Sequence, residues 1–64
     1  MATASRSKSA AWWIGRIQQA YDANDARAAW LYPEVSIMLD RLERGDKWIT
    51  IIELDRFIDR IRNA

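Results

Sequence analysis

Residues able to act as nucleophiles or general bases are few in this chain. It has no histidine and no cysteine, and three of its four serines lie within the first nine residues. Without an imidazole or a thiol, neither a serine triad nor a cysteine nucleophile with its base can form. The same absence excludes disulfides and removes the usual nitrogen and sulfur ligands of zinc. We therefore expect a protein that is not an enzyme and that uses no metal or cofactor.

The carboxylates include one pair with the spacing that an acid–base or metal site needs. Asp55 and Asp59 are four residues apart on one face of a predicted helix, but Arg56 and Arg60 lie beside them. Charges alternating in this way are typical of a solvated ion ladder, worth a few tenths of a kcal/mol per pair. We interpret these residues as an exposed helix face.

Three apolar residues fall outside the buried stripes that helical spacing predicts. Trp12 points about 100° away from the stripe of the first helix, and Ile37 and Ile52 lie off the stripes of two later helices. In a small bundle a widened stripe would bury one or two of them. Alternatively they form a contact surface, because aromatic residues and arginine are enriched where proteins meet. On that hypothesis the partner-binding residues are Trp12, Arg16, Ile37 and Ile52, and the partner is another protein or a second copy.

The chain is short for an independently stable domain. With 64 residues it buries only about 60% of the surface that its unfolded form exposes. Small domains compensate for the low stability of a small core with disulfides, a structural metal or oligomerisation. Because the first cannot form and ordinary zinc sites cannot be built, we expect efficient packing or self-association to matter.

The charge of the chain is nearly balanced. Its net charge is +1, and Arg6 and Lys8 leave eight basic and nine acidic residues for the rest of the chain. A nucleic-acid module usually has a basic face and a high isoelectric point. No apolar run approaches the roughly 18 to 20 residues that cross a bilayer. We expect a protein that does not enter a membrane, with a cytoplasmic location that the absence of cysteine favours.

These residues must be positioned by helices, of which the last is the best specified. Thr50 followed by Glu53 is a capping box, so a helix is predicted from this point to Arg62. Its apolar residues follow the i, i+3, i+4, i+7 spacing of one buried stripe. A strand over the β-branched residues that begin this stretch is the alternative, but the chain contains no second strand to pair with it.

Two further helices are predicted before it. Ser9 is a suitable N-cap for a helix over residues 10–23. A second helix over residues 33–44 is expected to end at Gly45. Between them, either a short helix over residues 26–31 is broken at an extended Tyr32, as the following proline favours, or one kinked helix runs over residues 26–44.

Together these elements predict an all-α fold, a small three-helix bundle with a short fourth helix before Pro33 as one alternative. Residues 1–9 are expected to form a flexible basic tail and residues 10–64 a single domain. Residues 46–49 are expected to be a short linker, extended in one interpretation. The predicted core comprises Trp13, Ile17, Tyr21, Trp30, Leu31, Val35, Met38, Leu39, Leu42, Trp48, Leu54, Phe57, Ile58 and Ile61.

Part of the chain resembles small DNA-binding regulators. ARAAWL, a break at Tyr32-Pro33 and PEVSIMLDRLERG resemble their helix-turn-helix, and WITIIELDRFI resembles the closing helix of excisionase-type and related winged-helix proteins. The resemblance implies DNA binding through the helix over residues 33–44. However, no wing fits between Gly45 and Trp48, and that helix carries three acidic residues that phosphates would repel. On this alternative the DNA-binding residues are Arg41, Arg44 and Lys47.

The two functional hypotheses are therefore of different classes. The first is a non-enzymatic helical interaction protein, such as an adaptor, an inhibitor or a regulatory subunit. The second is a helix-turn-helix-like DNA-binding regulator.

Overall fold

The computed structural model describes residues 8–64, so most of the predicted basic tail lies outside the described residues. The described chain forms four helices, α1 (Ala10–Ala23), α2 (Asp25–Ala28), α3 (Tyr32–Glu43) and α4 (Ile51–Arg62), with a 3₁₀ turn (Ala29–Leu31) before α3. It contains no strand over this range. The predicted all-α fold with three main helices is confirmed, and α2 is a short fourth helix before Pro33.

Helix α1 begins and ends where its flanking side chains predict. The Ser9 side chain accepts a hydrogen bond from the backbone N–H of Trp12 at 3.1 Å, which satisfies one of the donors left free in the first turn. At the other end, the side-chain amide of Asn24 donates to the carbonyl oxygen of Ile61 at 2.7 Å. This bond holds the C-terminal ends of α1 and α4 together.

The chain is helical without a gap from α2 through α3, which is closer to the predicted single kinked helix over residues 26–44 than to a helix broken at an extended Tyr32. Tyr32 is not extended: its φ of −54° and ψ of −42° are helical, and it opens α3. The proline that follows lies in the first turn, where its missing N–H needs no partner. The change of direction occurs earlier, in the 3₁₀ turn. The fully buried residues Ala28, at the end of α2, and Leu31, at the end of the turn, are three apart, and Trp30 between them points outward with 65% exposure. Its predicted place in the core is wrong.

The end of α3 is a Schellman motif. Gly45 has a φ of +77°, its N–H donates to the carbonyl of Leu42 at 3.1 Å, and the N–H of Asp46 donates to the carbonyl of Arg41 at 3.0 Å. The predicted glycine stop is confirmed.

The linker from α3 to α4 is a turn and not an extended segment. The Asp46 carboxylate accepts a hydrogen bond from the backbone N–H of Trp48 at 2.9 Å, which closes a turn over residues 46–48. Trp48 is 87% exposed, so its predicted place in the core is also wrong. Ile49, the next residue, packs against the core instead.

Helix α4 begins at half of the predicted capping box. The Thr50 hydroxyl accepts the backbone N–H of Glu53 at 3.0 Å. The reciprocal bond does not form, because the Glu53 carboxylate accepts from Arg41 of α3. The α4 stripe is buried as predicted.

Helix α1 packs against both α3 and α4. The end of α1 lies beside the start of α3, where the rings of Tyr21 and Tyr32 are 5.8 Å apart. Tyr21 and Leu39 of the predicted core are partly buried, and two alanines that were not predicted join it. The buried core comprises Trp13, Ile17, Ala20, Ala28, Leu31, Val35, Met38, Leu42, Leu54, Phe57, Ile58 and Ile61.

Candidate functional site

A groove of about 590 Å³ lies between α3 and α4. Met38 and Phe57 line its buried part and are only 7% and 6% exposed, whereas Ile37 and Ile52 stand at its sides with 61% and 65% exposure. Single exposed apolar residues are common on protein surfaces, but exposed apolar residues that share one groove indicate a binding site, because contact with water is unfavourable for the whole patch. The groove is therefore the main candidate for a binding surface.

Two ion pairs join α3 to α4 along this groove. Arg60 binds Glu34 with both terminal nitrogens, at 3.1 and 3.4 Å, and Arg41 Nη1 binds Glu53 Oε2 at 3.2 Å. These pairings show that α3 and α4 are antiparallel. In each helix the paired residues are seven apart, so the two ion pairs are separated by about 10 Å along the axes. Four charges of alternating sign thus surround an apolar centre.

The pair at the linker end is extended by Asp46. Arg41 Nε donates to Asp46 Oδ2 at 2.9 Å, so the guanidinium bridges two carboxylates. The hydrogen bond from the Trp48 backbone, followed by the bond from Arg41, lowers the pKa of Asp46. The bonds to Asp46 and Glu53 raise the pKa of Arg41. Arg41 is consequently occupied in joining α3, the linker and α4.

The structure separates the four predicted partner-binding residues into two pairs. Ile37 and Ile52 line the groove, whereas Trp12 and Arg16 lie on α1 and do not. The Trp12 ring is 41% exposed and packs edge-on to Trp13 at 4.9 Å between centroids. Lys8 Nζ and Arg16 Cζ lie 4.8 and 5.7 Å from its centroid. This ring already has cationic contacts within the chain, which favours Ile37 and Ile52 as the residues open to a partner.

Two of the three predicted DNA-binding cations are paired with acids of the chain. Arg41 is bonded to two carboxylates, and Arg44 Nε lies 2.9 Å from Asp40 Oδ2. Lys47 is exposed in the linker turn, outside α3. Phosphate contacts with Arg41 would compete with its ion pairs to Asp46 and Glu53. DNA binding nevertheless stays a prediction, since no observation tests it directly.

The ion pairs across the groove were not predicted from the sequence. Glu34 and Arg60 are 26 residues apart, and the local sequence pattern predicts Arg60 to be part of an ion ladder within its own helix. The sequence nevertheless contained a signal for these pairs, because α3 and α4 each have an acid in the first turn and a base in the last turn. Antiparallel packing of two such helices places unlike charges side by side at both ends.

Within residues 8–64 no cluster of carboxylates is arranged to hold a metal ion. No helix of this range is both long and apolar enough to cross a membrane. Comparisons with protein families, with curated proteins and with solved structures found no match to the chain.

Proposed function

We propose that this protein is a non-enzymatic interaction module that binds helical protein surfaces in the groove between α3 and α4. The observation that supports this proposal is the pair of exposed isoleucines, Ile37 and Ile52, in one groove of about 590 Å³. Adaptors, inhibitors and regulatory subunits all work through such a surface. The proposal includes a cytoplasmic location, which the lack of cysteine favours.

Helices are the partner elements that suit this groove. Its two sides are the surfaces of antiparallel helices, and its centre is apolar with charged ends, the arrangement that amphipathic helices occupy in helix-in-groove complexes. Covering the exposed part of each isoleucine contributes about 1–2 kcal/mol. The charged rim adds specificity and orientation more than affinity.

Site-specific photo-cross-linking in cells that make the chain tests this function. A photoreactive residue in place of Ile37 is expected to trap a protein in the groove, and the same residue in place of the exposed Gln18 on α1 is the matched control. An adduct specific to position 37 supports the module. Equal or absent labelling at the two positions would contradict it.

Substitutions test which residues form the binding surface. Ile37→Ser and Ile52→Ser are each expected to abolish the adduct formed from a photoreactive residue at position 56, which lines the groove and is exposed, while Trp12→Ala leaves it intact. Loss of the adduct with Trp12→Ala alone would transfer the binding surface to α1. Duplex DNA added in excess provides the test of the second hypothesis: competition that weakens steeply with salt would favour a DNA-binding regulator.

A further inference from the structure

We propose that the occupant of the groove is a second copy of this chain, related by a twofold axis that runs along the groove, with α3 of each copy against α4 of the other. This inference rests on the proposed function of the groove and names its partner. The four helices that border the two grooves then form a four-helix bundle in which neighbouring helices are antiparallel, and α1 of each copy adds to it.

The charges around the groove are complementary to themselves under this symmetry. Glu34 and Arg41 lie on α3, and Arg60 and Glu53 lie opposite them on α4. A twofold axis along the groove brings α3 over α4 of the second copy at the same level. Glu34 of each copy then faces Arg60 of the other, and Arg41 faces Glu53. All four charges meet opposite charges, which is the requirement for an isologous interface.

A second twofold arrangement has its axis perpendicular to the helices and also pairs opposite charges. It is unfavourable because it brings like charges together at the middle of the groove. It places α4 over α4, so that the two copies of Arg56, which lines the groove near its middle, come to within about one residue of each other. Two arginines facing each other in this way repel. With the axis along the groove, each Arg56 instead lies over Met38 of the other copy, and its aliphatic stem covers apolar surface.

The apolar residues agree with the same arrangement. Counting equal steps along the antiparallel helices from the Glu34–Arg60 pair puts Ile37 level with Phe57. Ile37 of each copy therefore lies over the Phe57 level of the other, between the two rings of charge. A chain of 64 residues without cysteine also has few other means of gaining stability.

Sedimentation equilibrium of four forms of the purified full chain tests this arrangement. The wild type is expected to form a dimer at micromolar concentration. Glu34→Arg and Arg60→Glu each replace two attractive contacts between copies with two repulsive ones, so each variant alone is expected to dissociate with a Kd raised roughly tenfold or more. A 1:1 mixture of the two variants restores unlike charges and is expected to associate as the wild type does.

The double variant E34R/R60E is the matched control. It keeps an ion pair within each chain and, with the axis along the groove, keeps unlike charges facing between copies, so it is expected to remain dimeric. With the axis across the helices, neither the mixture nor the double variant would recover. Far-UV circular dichroism checks that each variant is helical, and recovery in the mixture cannot come from unfolded chains.

The proposal is overturned if the wild type is monomeric at hundreds of micromolar, if the single charge variants or Ile37→Ser dimerise as tightly as the wild type, or if the mixture does not recover. Its failure is distinguishable from failure of the proposed function. If photo-cross-linking at position 37 traps a different protein, the module stands and the second copy is excluded. If it traps nothing, both proposals fall.

Discussion

At the scale of single residues, the backbone requires glycine at one of the two glycine positions of the chain and not at the other. Gly45 has a φ of +77°, whereas Gly15 is inside α1 and a Cβ added there meets nothing within 4 Å. We expect Gly45→Ala to destabilise the fold by about 1–2 kcal/mol because the left-handed conformation is strained for alanine. Gly15→Ala is expected to stabilise it by about 0.5–1 kcal/mol. Urea unfolding of both variants measures the difference, and equal effects would contradict this assignment.

Asp46 is expected to contribute to acid unfolding. Its pKa is lowered in the folded chain by the Trp48 N–H and by Arg41, and the unfolded value is about 3.9. A lowered folded pKa gives stability that is present above the unfolded pKa and is lost as the pH falls through the folded one. Asp46→Asn keeps an acceptor for Trp48 but not the charge. The fall in unfolding free energy from pH 6 to pH 2 is therefore expected to be smaller in this variant; an equal fall would exclude the contribution.

At the scale of elements, Thr50 caps the start of α4 and the Glu53 side chain does not. The Thr50 hydroxyl accepts the Glu53 N–H, but the Glu53 side chain reaches α3 instead of closing the box. Thr50→Ala is expected to cost about 1 kcal/mol, and Thr50→Ser close to nothing. Thermal unfolding monitored by circular dichroism compares the two. A loss with serine as large as that with alanine would show that the threonine methyl group, and not the cap, matters.

Local signals in the sequence predicted the elements well, because they act within a few residues. Ser9, Thr50 and Gly45 mark helix ends through bonds to their own neighbours, and one face of α4 is apolar. Trp30 and Trp48 were misplaced because hydrophobicity alone does not show which side of a short turn faces the core. In the 3₁₀ turn the inward positions are three apart, and in the linker the Asp46 side chain sets the direction of Trp48.

The candidate site was predicted only in part, because it depends on how α3 and α4 are paired. The off-stripe positions of Ile37 and Ile52 indicated exposure, which the structure shows. The two isoleucines share a groove because α3 and α4 form it, and Trp12 lies outside it because no residue of α1 lines it. The ion pairs across the groove likewise join residues far apart in the sequence.

At the scale of the whole molecule, substitutions of groove side chains and of core side chains should change the unfolding free energy of the single chain by different amounts. Ile61 is fully buried and Ile37 is 61% exposed. At nanomolar concentration, Ile61→Ala is expected to cost about 2–5 kcal/mol, and Ile37→Ala within about 0.5 kcal/mol. The first loss rivals the total stability of a domain of this size. Urea midpoints measure both effects, and a large loss for Ile37→Ala would place that residue in the core of the single chain.

If the groove is closed by a second copy, the stability of the molecule depends on its concentration. Association stabilises the folded state by mass action, so each tenfold increase in chain concentration adds about 1.4 kcal/mol per dimer, or about 0.7 kcal/mol per chain. For a small domain this raises Tm by roughly 3–6 °C. The double variant I37S/I52S removes the exposed apolar groups and is expected to show a Tm that does not change with concentration. Differential scanning calorimetry from 10 to 1,000 μM separates these outcomes, and a constant Tm for the wild type would mean that one chain forms the complete folding unit, its groove open to a different protein.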